Sequence, residues 1–166
     1  HYCYMPLYVF CGEHLLASRL HTSDKDGCYG TLEILEKLVG RIRERFPEVR
    51  IIFRGDSGFC RGEILDLCES LKIEYVIGLA RNERLLNIIE DQIQEAQEMY
   101  QSFETASRVF TRFSYRTRTS WSRSRDVVAK AEHLSKGSNP RFIVTNIEGE
   151  GKSLYEDLYC ARGDME

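Results

Sequence analysis

The chain has 166 residues, of which 42% are hydrophobic and 30% are charged, and its formal net charge is −3. This length and composition suit one ordinary hydrophobic core and exclude a chain that is disordered by composition. No apolar run approaches the roughly 18 residues that a membrane-spanning helix needs, and the first residues lack the basic-then-apolar layout of a signal peptide. We therefore expect a cytoplasmic protein without membrane contact.

Six cysteines are scattered along the sequence without a CxxC pair, and the four histidines form no HxxxH spacing. These patterns favour buried, reduced thiols over a zinc site or a disulfide framework. The first residue is His1, and the last residues stop within a predicted helix, so we expect the sequence to be part of a longer protein.

Two short apolar runs, residues 4–12 and 14–21, open the chain and are separated by Gly12 and Glu13. This arrangement is typical of a tight antiparallel hairpin. Apolar residues then recur at helical spacing over residues 31–46, and Pro47 ends that helix.

The middle of the chain predicts a strand, a helix and a second strand. Residues 49–53 and 73–80 are nearly continuous apolar runs, which predicts strands covered on both faces, and residues 61–71 form an amphipathic helical pattern. A βαβ unit of this kind favours a parallel pair of strands.

The remainder predicts a helix over residues 83–101, a β-hairpin within 107–134, a strand over 142–147 and a closing helix from Ser153. Hairpin strands followed by a βαβ unit imply an α/β fold of the α+β kind, with a mixed sheet and helices packed on it.

Asp56 lies just past the end of the first buried strand, in the stretch FRGDSGF. Asp followed by Ser-Gly is common in turns and helix caps, which gives one interpretation. A carboxylate at the end of a central strand is also a candidate ligand for a divalent metal ion. The motif alone leaves both interpretations open.

The last residues, YCARGDME, place Tyr159, Arg162 and Glu166 on one helical face, since they are three and four residues apart. They could present a carboxylate to a metal ion, with the arginine addressing a phosphate or the carboxylate. The alternative is an ordinary Arg162–Glu166 ion pair with Tyr159 in the core.

Residues 107–133 carry seven basic and two acidic residues, a local balance of +5 that leaves −8 for the rest of the chain. Such a segment predicts contact with DNA, with Trp121 available to stack on an unpaired base. The alternative is an exposed hairpin whose arginines provide solubility, with Trp121 packed on the sheet. The candidate DNA-binding residues are Arg116, Arg118, Trp121, Arg123, Arg125 and Lys130.

The two terminal motifs together resemble one known family. YCARGDME resembles the Y-x-x-R-x-x-x-E signature of DDE transposases encoded by bacterial insertion sequences, and FRGDSGF resembles the segment around their second catalytic aspartate. The passages VIGLARN and YEDLYCARG are similar to one branch of that group, and the likeness covers essentially the whole chain.

This resemblance implies a ribonuclease-H-like core that lacks its first strand, with a β-rich insertion before the last helix. It implies a division into a core (1–82), an inserted helix and basic β-rich subdomain (83–152) and the start of the catalytic helix (153–166). The missing strand would lie between the opening hairpin and residues 49–53, so these two should not pair with each other.

The resemblance also implies a site. Asp56 matches the second catalytic acid and Glu166 the third, both as ligands of two Mg²⁺ or Mn²⁺ ions, with Tyr159 and Arg162 in support. The first aspartate would precede His1, so residues 1–166 alone should be inactive. The implied partners are the element ends and the target DNA, with a possible homodimer of the full-length protein at the bacterial nucleoid.

Two other functions stay open: a ribonuclease-H-like nuclease that hydrolyses without joining, and a noncatalytic DNA-binding remnant of a transposase. A nucleotide-dependent enzyme is disfavoured, because the glycine-rich patterns GxGxxG and GxxxxGK[ST] are both absent.

Overall fold

A computed structural model describes residues 3–161. The strands are β1 (Tyr4–Cys11), β2 (His14–Thr22), β3 (Ile52–Gly55), β4 (Glu74–Leu79), β5 (Ser107–Tyr115), β6 (Arg125–Leu134), β7 (Gly137–Ser138) and β8 (Arg141–Thr145). The helices are α1 (Thr31–Arg45), α2 (Gly62–Ser70), α3 (Glu83–Ile88), α4 (Glu90–Phe103) and α5 (Gly151–Ser153). A short 3₁₀ turn spans Ser57–Phe59, and α5 continues as a π-helix over Leu154–Tyr159.

The opening hairpin forms a two-stranded antiparallel sheet of its own. Gly12 adopts φ +55° in the turn, a conformation that glycine reaches without a Cβ penalty. The buried Leu7 and His21 lie on one face, whereas Tyr8 and Leu20 are more than half exposed on the other. The predicted hairpin is therefore confirmed.

The main sheet has the strand order β3-β4-β8-β6-β5, with β7 added to the end of β6. β3 and β4 are parallel, as predicted for a βαβ unit, and the remaining pairs are antiparallel. The sheet is mixed, and it contains neither hairpin strand. The hairpin and the βαβ unit thus lie in separate sheets, although residues 52–145 form a continuous sheet of five strands without the missing strand.

Helices cover both faces of the main sheet. Tyr75, Ile77 and Val127 point to the face on which α1 to α4 pack, and they form the larger core cluster. Val76 and Val128 point to the opposite face, where residues 151–159 pack through Leu154 and Tyr155. We call residues 151–159 the C-terminal helical segment.

Several local predictions were wrong in extent. β3 begins at Ile52 and is a half-buried edge strand, so residues 49–53 are not covered on both faces. The predicted helix 83–101 is two helices that meet at Ile89, and β7 lies in a predicted loop. The cysteines are free as predicted, but Cys3, Cys11 and Cys160 are exposed.

Strands from residues 52–79 and 107–145 share one sheet, so hydrogen bonds join the predicted core to the predicted insertion. The boundaries at residues 82 and 152 stay predictions. Within residues 3–161, none of the helices is long and apolar enough to cross a membrane.

Candidate functional site

The motif at 55–59 builds a tight turn at the end of β3. Asp56 is extended, and its Oδ1 accepts a hydrogen bond from the Gly58 amide at 2.7 Å, which caps the 3₁₀ turn. Phe59 closes the turn by packing edge-on against Phe53, with ring centroids 6.1 Å apart, and over the bare Cα of Gly55. Asp56 therefore caps this turn, as the first interpretation of the motif predicted.

The same turn leaves the carboxylate accessible. Asp56 is exposed, and a carboxylate offers about four acceptor sites, so one bond to Gly58 leaves it able to bind a cation. Because β3 and β4 are parallel, both end at the same edge of the sheet, which we call the carboxyl edge. Asp56 lies there.

The C-terminal helical segment docks at this edge. A Cβ placed on Gly78 of β4 would lie 2.6 Å from the Tyr159 hydroxyl and 3.0 Å from the Ser57 amide nitrogen. On the neighbouring strand, Arg54 Nη1 donates to the Leu158 carbonyl at 3.0 Å. The structure thus brings Tyr159 and the Asp56 turn together over Gly78.

The other two residues of the helical motif, Arg162 and Glu166, lie outside the described residues 3–161. Within that range, no group of three or more His, Cys, Asp or Glu side chains is arranged to hold a metal ion. The exposed carboxylate oxygens of Asp56 are donors of the kind that Mg²⁺ and Mn²⁺ prefer.

Trp121 is packed in the hydrophobic core, which was the second of the two interpretations that the sequence left open. It is 3% exposed, its ring meets Tyr115 edge-on with centroids 5.8 Å apart, and the Arg125 guanidinium lies 5.6 Å from its centroid. A ring enclosed in this way presents no face to an unpaired base. The structure therefore corrects the expectation that Trp121 is available for stacking.

Arg125 is also buried, with 2% of its side chain exposed. Its Nε donates to Glu69 at 2.8 Å and its Nη2 to Asp66 at 2.6 Å. Burial opposes ionisation of Glu69, but hydrogen bonds from Arg125 and Arg123 outweigh it and hold the pKa of that carboxyl below its usual range. This ion-pair cluster fastens β6 to α2, and it corrects the expectation that Arg125 faces DNA.

Lys130 is 8% exposed and lies in a second ion-pair cluster. Its Nζ is 2.9 Å from Glu132 and 5.1 Å from the centroid of the Tyr155 ring. Glu132 also accepts from Arg108, and these cations hold the pKa of its carboxyl below the usual range although burial raises it. Lys130 is thus engaged under the C-terminal helical segment and does not form an exposed DNA contact.

The remaining predicted DNA-binding residues are exposed. Arg123 forms an ion pair with Glu69. Arg116 donates through Nε to the Trp121 carbonyl at 3.3 Å, and Arg118 lies in the same loop. Of the six candidates, these three have side chains that solvent reaches.

Two glycines that the sequence interpretation missed shape this region. Gly78 permits the contact with Tyr159, and a Cβ on Gly62 would lie 2.0 Å from the Ser120 carbonyl oxygen. An isolated glycine within a strand pattern signals a close backbone approach, so Gly78 could have been found from the sequence.

The comparisons with known proteins give one match. The sequence model of a family described as "Transposase DDE domain group 1" matches residues 1–166, the whole sequence. No curated protein and no solved structure matches the chain.

Proposed function

The chain belongs to the transposase DDE domain group 1 family, and from that membership we propose that it forms part of the catalytic domain of an insertion-sequence transposase. The proposed reaction is phosphoryl transfer on DNA: cleavage at the element ends, followed by joining of the 3′-hydroxyl to target DNA. Homodimer formation by the full-length protein is part of the same proposal.

The observation that carries this proposal is the position of Asp56. Its carboxylate is exposed at the carboxyl edge, on a turn that Gly58 and Phe59 fix, and the segment that ends in Tyr159 packs beside it. A rigid strand end is suited to holding a ligand in place.

We propose that Asp56 and Glu166 are ligands of two Mg²⁺ or Mn²⁺ ions. When bound, such ions activate the attacking oxygen and stabilise the leaving oxygen in phosphoryl transfer. Tyr159 would position the segment that precedes Glu166, and Arg162 would orient the Glu166 carboxylate or bind a phosphate.

For DNA contact we propose Arg116, Arg118 and Arg123, whose side chains are exposed. Arg123 would exchange or share its carboxylate partner Glu69 when it meets a phosphate. Trp121, Arg125 and Lys130 would support this surface from below.

The test is metal-dependent nicking of labelled element ends by the full-length protein. Asp56→Ala and Glu166→Ala should both abolish nicking and strand joining while DNA binding persists. Asp91→Ala is the matched control, because Asp91 is an exposed aspartate in the first turn of α4.

Nicking by both alanine variants at the wild-type rate would show that the two acids are not catalytic. Hydrolysis without joining would instead favour the nuclease, and DNA binding without any nicking by the wild type would favour the noncatalytic remnant.

A further inference from the structure

The basic side chains of residues 107–133 fall into two groups. Those on or next to the strands form ion pairs with carboxylates; they are Arg108, Arg112, Arg123, Arg125 and Lys130. Arg116 and Arg118, in the loop between β5 and β6, are exposed, and the described part of the chain gives them no carboxylate partner. Their charge is therefore not neutralised within residues 3–161.

A second pair of arginines is likewise exposed and without an ion-pair partner among the described residues. Arg81 and Arg84 flank the start of α3, both are exposed, and neither forms an ion pair with any residue between 3 and 161. Glu83 is the one acidic residue between them in the sequence. The local balance is still positive.

Three contacts hold these two pairs together. The Arg84 guanidinium lies 5.1 Å from the centroid of the Tyr115 ring, and its Nη1 donates to the Arg116 carbonyl at 3.4 Å. The Asn82 amide donates to the Tyr115 hydroxyl at 3.3 Å. Arg84 thus lies against the backbone of Arg116, and the exposed Arg81 and Arg118 are within three residues of these two in the chain. We call Arg81, Arg84, Arg116 and Arg118 the arginine surface.

The loop that carries half of this surface is fixed. Thr117 Oγ1 accepts from the Trp121 amide at 2.8 Å and from the Ser120 hydroxyl at 2.9 Å. The Ser120 carbonyl lies against Gly62, where even a methyl group would clash. The loop is therefore held between the first residues of α2 and α3.

β5 ends and β6 begins level with the first residues of β4, at the end of the sheet opposite the carboxyl edge. From there the loop runs back along α2, with Ser122 at Asp66 and Ser120 at Gly62, so its tip reaches toward the carboxyl edge. α2 and α3 follow β3 and β4, whose parallel ends define that edge, and the Asp56 turn lies between β3 and α2. Of the two helix starts that hold the loop, that of α2 follows the Asp56 turn in the chain, and that of α3 follows the end of β4.

We infer that the arginine surface binds the phosphates of the DNA strand presented to Asp56, with Arg81 and Arg84 as contacts in addition to Arg116 and Arg118. This inference rests on the proposed function. A guanidinium has five N–H donors, and the described contacts of Arg84 use one of them, so the others can bind a phosphate in a bidentate manner. The Tyr115 ring restricts Arg84 in advance, which lowers the entropy cost of binding.

The test is the salt dependence of binding between the full-length protein and a labelled duplex of about 30 base pairs, without divalent ions. The slope of log K against log salt is negative, and each lost phosphate contact makes it less steep by about 0.9. The double variant Arg81→Ala/Arg84→Ala should therefore make the slope less negative by about 1.8.

The matched control is Arg41→Ala/Arg45→Ala, which removes two exposed arginines from α1 with the same change in net charge. Its slope should stay near that of the wild type, and thermal unfolding should show that both double variants fold. An Arg81/Arg84 slope equal to that of the control overturns the inference and leaves the proposed function standing. Failure of the wild type to bind the duplex overturns the proposed function itself.

Discussion

Two triplets of nearly the same sequence lie at the two ends of the connection between β5 and β6: Arg116-Thr117-Arg118 follows β5, and Arg123-Ser124-Arg125 runs into the first residue of β6. The first is exposed in its arginines and has no carboxylate partner within residues 3–161. The second is tied to Asp66 and Glu69 of α2. The comparison shows that the role of an arginine depends on which carboxylates the fold brings within reach.

Of the variants that test this comparison, Arg125→Ala should have the largest effect on the free energy of unfolding. Removing one partner of a buried ion pair leaves the carboxylates partly uncompensated, so unfolding should become easier by about 3–5 kcal/mol. Urea unfolding measures this change. Arg41→Ala, at an exposed helical position, should cost no more than about 0.5 kcal/mol, and an equally small loss for Arg125→Ala would contradict the structural role.

Gly62→Ala should move the first triplet while leaving the second in place. The new Cβ would meet the Ser120 carbonyl, and relieving that contact should cost roughly 1–3 kcal/mol. Gly40 of α1 is the control, because a Cβ there meets nothing within 4 Å. Gly40→Ala should stabilise the helix by up to about 1 kcal/mol, and equal effects at both glycines would argue against the packed loop.

Glu69→Gln tests the second triplet through pH. Because the pKa of Glu69 is lowered in the folded protein, its contribution to stability is present above the unfolded value near 4.5 and is lost as the pH falls through the folded value. The variant should be less stable than the wild type by about 1.5 kcal/mol near neutral pH. This difference should shrink below pH 4.5, and a difference independent of pH would disprove the ionic role.

The smallest effect on stability is expected for Arg116→Ala/Arg118→Ala. Neither side chain forms an ion pair in the described part of the chain, so the free energy of unfolding should change by at most about 0.5 kcal/mol. The slope of log K for duplex DNA against log salt should nevertheless become less negative by about 1.8. A large loss of stability without a change in slope would show that the first triplet has a structural role and does not contact DNA.

Much of the fold could be predicted from local patterns. α1, α2, β5 and β6 each repeat their apolar residues with the period of their element, and the hairpin and β4 follow from short apolar runs. The misplaced start of β3 has a different cause: an apolar run does not reveal whether its strand lies at the centre or at the edge of a sheet.

The candidate site was predictable in part. FRGDSGF placed Asp56 at a strand end, because a buried strand followed by turn residues is a local signal. Trp121 was harder to interpret, since an aromatic residue among arginines suits both a stacking surface and a packed cluster. Its burial follows from Tyr115 and Arg125, which enclose the ring only after β5 and β6 pair.

By itself, then, the sequence determined most of the elements, the parallel pair of β3 and β4 and the position of Asp56, because each depends on residues close together in the chain. Only the tertiary structure decided which arginines stay exposed. The carboxylates that engage Arg125 lie 56 and 59 residues away in the sequence. Local periodicity does not encode such distant pairings, which form when α2 packs against the start of β6.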